Sequence, residues 1–113
     1  MDWDEYKRRC DTPGVLSRWM LERTAELVDP PVAVHLLAAT SAKPLPKPEG
    51  HKGGPDTDMF ELHLDDTVAD AVVAAIERAH AAGNQKLRGF VAAWREYRGA
   101  LSSDPPEGPG NAR

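Results

Sequence analysis

Residues 43–58 read KPLPKPEGHKGGPDTD, with four prolines and three glycines in sixteen positions. No regular helix passes through such a run, because proline removes a backbone donor and glycine loses the most freedom on ordering. The chain is thereby divided into two apolar-patterned parts, residues 2–42 and 59–101. Each holds about two helices, too little to bury a core of its own. The two parts are therefore expected to pack on one another as one domain over residues 1–101, with the proline-rich segment as a long central loop.

Helical spacing fills both parts. Trp3, Tyr6 and Cys10 fall on one face of a short first helix. Asp11-Thr12-Pro13 reads as an N-cap followed by proline at the first helical position. The stripe of Leu16, Trp19, Met20, Leu27 and Val28 then predicts a helix over 13–28. After Asp29-Pro30-Pro31, the run VAVHLLAAT is apolar almost all round, which predicts a short helix buried on most sides with His35 as a core histidine. Asp65-Asp66-Thr67 opens a further helix carrying Val68, Val72, Ala75, Ile76 and Ala79, and Gly83 stops it. Asn84 is placed to cap the last helix, which carries Leu87, Phe90, Val91, Trp94, Arg98 and Leu101.

One short segment departs from this pattern. Phe60, Leu62 and Leu64 alternate with Glu61 and His63, as in an extended segment over 59–64 with one wet face. No second run shows the same alternation, so the segment is expected to lie along the helices or to lead into the next one. The fold class is mostly α: a small bundle of four or five helices sharing Leu16, Trp19, Leu27, Val72, Ile76, Phe90 and Trp94 in one core. From Ser102 the chain runs SSDPPEGPGNAR without a large apolar residue, so 102–113 is expected to be a disordered tail whose deletion leaves stability unaltered.

Composition narrows the function more than any motif does. A net charge of −4 and a pI near 5.5 argue against a general nucleic-acid binder, whose affinity rests on neutralising phosphates. Charge is nonetheless uneven. Seven acids lie between Glu49 and Asp70 against Lys52 alone, while Arg78 to Arg98 holds five basic residues. The acidic start lacks the apolar run of a secretory signal, no stretch is long and apolar enough to cross a membrane, and a single cysteine excludes an internal disulfide. These features point to a cytoplasmic protein, and the Ala/Arg/Gly-heavy usage to a bacterial one.

Cys10, His35, His51, His63 and His80 lack the spacing of a metal site, so no metal and no cofactor are expected. Asp65, Asp66, Asp56 and Asp58 are explained as helix-start and turn residues, and Cys10 would need a histidine beside it to act as a nucleophile. The central loop offers more. Lys43, Lys47, His51 and Lys52 are set among prolines and glycines whose preset extended geometry lowers the ordering cost of a contact. Replacing the loop by a Gly/Ser linker is expected to spare folding and weaken binding. Trp3, beside the charged terminus, is expected to be partly exposed, as interface anchors are. The leading reading is a small accessory or regulatory protein acting through contact with another protein, a second copy of this chain included. The runner-up is a small enzyme or enzyme subunit using the His51–Asp58 loop. A nucleic-acid-associated role for the last helix, through Lys86, Arg88 and Arg95, comes third.

Overall fold

The structure, a computed structural model, describes residues 1–103; the tail expected over 102–113 otherwise lies outside the described residues, with the last helix running on to Ser103.

Helix α1 (Trp3–Cys10) starts where the Asp2 carboxylate accepts a hydrogen bond from the Glu5 N–H at 2.8 Å. Its acids lie in the first turn and Lys7, Arg8 and Arg9 in the last, each sign where the helix dipole favours it. The segment after it corrects the sequence reading. Thr12-Pro13-Gly14 forms a turn in which Gly14 has φ +90°, and the helix expected from Pro13 does not begin there. A Cβ at Gly14 would also lie 2.7 Å from the Tyr97 ring, so only glycine fits. Val15–Ser17 is strand β1, and its partner β2 is Met59–Glu61, within the expected extended segment. They pair antiparallel with Leu16 opposite Phe60, and flanking bonds from Arg18 N–H to Asp58 C=O and from Leu62 N–H to Gly14 C=O lengthen the ladder. The segment that lacked a visible partner therefore has one, three residues long and disguised within a helical stripe.

Ser17 caps α2 (Arg18–Ala25) through its hydroxyl, which accepts from Met20 N–H at 3.1 Å. The helix is half the expected length. Leu21 and Thr24 take its inward face, which leaves Trp19 45% exposed, edge-on to Phe90 with ring centroids 5.4 Å apart. Trp19 is thus at the rim of the core rather than inside it. Helix α3 (Pro30–Ala39) forms as expected but is not buried on most sides: Leu36 alone is fully buried, Val34 is 63% exposed and His35 faces outward. The helix packs against α2 and, more lightly, against α4, and its opposite side, with Val34 and His35, is uncovered among the described residues.

Helix α4 (Asp66–Ala81) is capped by Asp65, whose carboxylate accepts from Val68 N–H, and ends ahead of Gly83 at φ +115°. A 3₁₀ turn at Gln85–Leu87 leads into α5 (Arg88–Ser103), which folds back on α4. The core draws on both parts of the chain: Leu16, Leu21 and Leu36 meet Phe60, Val72, Ile76, Phe90 and Trp94. Leu27 packs against its margin. Fully buried Trp94 donates its indole N–H to the Thr24 hydroxyl at 3.2 Å, one polar contact that spans the divide. Within the second part, the Tyr97 oxygen accepts from Leu64 N–H at 2.9 Å.

Candidate functional site

The central loop is a strap packed onto the domain, and its charges explain much of that packing. Lys47 Nζ reaches Asp58 Oδ1 at 2.7 Å and donates to the Gly53 and Gly54 carbonyls at 3.3 and 3.2 Å. Arg18 meets the other oxygen of Asp58 at 3.4 Å, donates to the Thr40 carbonyl and lies over the Phe60 ring. The Lys47 hydrogen bond, reinforced by Arg18, holds the Asp58 carboxyl below its ordinary value. Both ends of the strap are therefore tied to each other and to the start of α2. Between them Leu45 donates its N–H to the Met59 carbonyl and buries its side chain with Tyr6 and Val15.

The far part of the strap turns onto α1. The His51 ring stacks on Trp3, with centroids 5.7 Å apart and planes 14° apart, and Tyr6 meets the same ring edge-on at 5.5 Å. His51 Nδ1 accepts from Gly53 N–H at 3.1 Å, and the Trp3 indole donates to the Glu49 carbonyl at 3.2 Å. Gly53 has no room for a side chain: a Cβ there would sit 2.3 Å from Thr57 Oγ1 and 2.7 Å from His51 Cε1.

This folding opens a cleft of about 490 Å³ between α1, the start of α2 and the strap. Tyr6, Cys10, Trp19 and Met59 wall one side. His51, Asp56 and Thr57 contribute the strap side, and Ser17 is already engaged as the α2 cap. Burial raises the Cys10 thiol above its ordinary value, and the Asp11 charge adds to this against the opposing effects of Tyr6 and Arg9. Cys10 is therefore held as an uncharged thiol, although it lines the same cleft as a histidine; thiolate chemistry needs the reverse. Burial likewise raises the Tyr6 hydroxyl, helped by Cys10 and by the charge of Asp58.

Of the residues that the sequence singles out, the fold brings Trp3 and His51 into contact. Lys47 is occupied with Asp58 and lines a separate hollow with Lys43. Lys43 and Lys52 are exposed. Among the described residues, no three His, Cys, Asp or Glu side chains come together as a metal site would require. His63 is exposed beside Glu61. On the last helix Arg95 and Arg98 pair with Glu77 and Asp70 of α4, so much of its positive charge is already matched. Sequence reasoning missed Tyr6, Trp19 and Asp56 as cleft residues. Tyr6 and Trp19 were absorbed into helical stripes, and Asp56 into a turn. The opposite charges at Lys47 and Asp58, one near each end of the strap, were the available hint of closure.

Set against protein-family models, curated proteins and solved structures, the chain gives no match.

Proposed function

We propose that the protein is a small helical interaction module that receives part of another protein in the cleft between α1, the strap and Trp19. One observation carries this reading: stacking on Trp3 holds His51 of the strap so that half-exposed Trp19, at 45%, stands with Tyr6 and His51 at an open, aromatic-walled cleft. Tryptophan and tyrosine dominate the energetics of protein interfaces because they bury much area at little entropic cost. A cleft of this volume is within the range of sites that bind side chains and small ligands. The ion pairs and ring contacts already fix the strap, so binding there spends little on ordering it. The enzyme reading has less support, since burial raises the Cys10 thiol in the cleft above its ordinary value, against thiolate chemistry.

The test is a photo-cross-linking residue placed at position 19 of the full chain and expressed in the native host. An adduct of discrete mass is expected from position 19, and none from a control at Glu22. Equal labelling from both positions, or no adduct at either, would remove the reading.

A further inference from the structure

We infer that the cleft selects a cationic side chain, a lysine or arginine presented by a basic segment of the partner protein. This rests on the cleft being the interaction site, and adds what that site recognises.

Three observations point the same way. The first is the wall chemistry. Tyr6 and Trp19 present aromatic surface, and the faces of tyrosine and tryptophan rings attract ammonium and guanidinium groups through the ring quadrupole. The second is charge. Asp56 is exposed, and among the described residues its carboxylate has no partner and no lysine or arginine lines the cleft. Lys47 points away into its ion pair with Asp58. Of the basic groups on α1, Arg9 is the one that acts on Cys10, and it leans towards Glu61 at 3.9 Å. Of the neighbouring charges, Asp11 and Arg9 act on the Cys10 thiol with opposite sign, and Asp58, which raises the Tyr6 hydroxyl, is already matched by Lys47 and Arg18, so Asp56 is the charge that the cleft itself presents. An anion entering here would meet a carboxylate and ring faces; a cation would meet two kinds of attraction.

The third is the distribution of polarity. Met59, Cys10 and the rings line the cleft with apolar atoms, and Asp56 supplies charge from the strap side. Lysine and arginine have the matching division: an aliphatic stem that lies along apolar surface and a charged head that seeks a carboxylate. A norleucine or leucine side chain would satisfy only the walls.

The full chain, labelled with ¹⁵N, is titrated with the blocked tripeptide Gly-Arg-Gly, with Gly-Lys-Gly, and with Gly-citrulline-Gly as the uncharged shape match. Amide shifts at Trp19, His51 and Asp56 are expected from the two cationic peptides, with the citrulline peptide about tenfold weaker. Asp56→Asn should weaken the arginine peptide several-fold and Asp56→Lys should abolish its binding. Neither variant should shift the thermal midpoint, because Asp56 makes no contact that the fold depends on. Equal affinity for citrulline and arginine, an unchanged titration in Asp56→Asn, or no shifts up to about 20 mM peptide each overturns the inference. Cross-links from position 19 together with any of these results would leave the interaction cleft standing and remove only its preference for a cation.

Discussion

Thr24 is a buried hydroxyl whose function in the fold is to accept one bond from the Trp94 indole. Thr24→Val keeps the shape and leaves a buried N–H without a partner. It should cost about 1–3 kcal/mol, while Trp94→Ala should cost about 3–5 kcal/mol by opening a cavity as well. Chemical denaturation of both variants checks the order, and an unchanged midpoint in Trp94→Ala would place that ring outside the core. A second expectation concerns Asp58. Because its carboxyl is held below the ordinary value of 3.8, the unfolded chain takes up this proton first as pH falls. The stabilisation is thus complete above about pH 5 and is lost as pH drops through the lowered value of the folded state. Asp58→Asn should be less stable than the parent at neutral pH, with the gap closing towards about pH 2. A gap that stays constant across that range would show the Lys47 and Arg18 contacts to be without effect. At this scale the sequence was legible where one residue type has one physical use. Asp65 at a helix start, Gly83 at a helix end and Trp94 on a clean stripe are such cases. Trp19 was not, because its place on the stripe presumed a helix that begins five residues earlier than α2 does.

Among the elements, the helices with strong periodicity were the most readable, and α4 and α5 lie where the spacing puts them. Strand β1 was hidden for a definite reason. Its three residues share a helical period with Trp19 and Met20, and only pairing with Met59–Glu61, together with the Gly14 turn, decides the matter. Helix α3 shows the opposite error: an apolar sequence implies burial only if enough surface is present to cover it, and here α2 and a light contact with α4 cover one side. The strap was recognised as a segment apart, but its internal order was out of reach, since Lys47–Asp58 and Trp3–His51 are contacts between distant residues of unremarkable type. That order alters the expected outcome of replacing residues 43–58 by a Gly/Ser linker. Buried Leu45 and the paired Asp58 would both be lost, so thermal stability should fall by several degrees along with partner binding. Retaining Leu45, Lys47, His51 and Asp58 within the same linker should recover most of the midpoint. Failure of that partial graft to recover it would assign the stability to the proline geometry instead.

The whole molecule is held together across the strap by the β1–β2 pair, the Trp94–Thr24 bond and a core drawn from both parts. Fragments 1–58 and 59–103 should each lack a cooperative unfolding transition, and mixing them should restore one if the strap's covalent link is dispensable. A sharp transition in either fragment alone would mean that it carries an independent core. The requirement that two small parts share one core was readable from composition and chain length alone. How they meet was not, because it depends on a strand pair and on a ring that lies close to a glycine's backbone.

The bond between Trp94 and Thr24 joins residues 70 positions apart, and this has a consequence for how the protein is made. Synthesis proceeds from the N-terminus, so Leu16, Leu21 and Leu36 exist for most of that time without the residues that cover them. β1 waits for Met59–Glu61 to find its partner strand, and the inner face of α2 is not covered until α5 has emerged. A nascent chain halted before Trp94 would display apolar side chains to chaperones and proteases. Loss of α5 is therefore an injury this architecture tolerates poorly, because the core residues of β1 and α2 depend on it for cover.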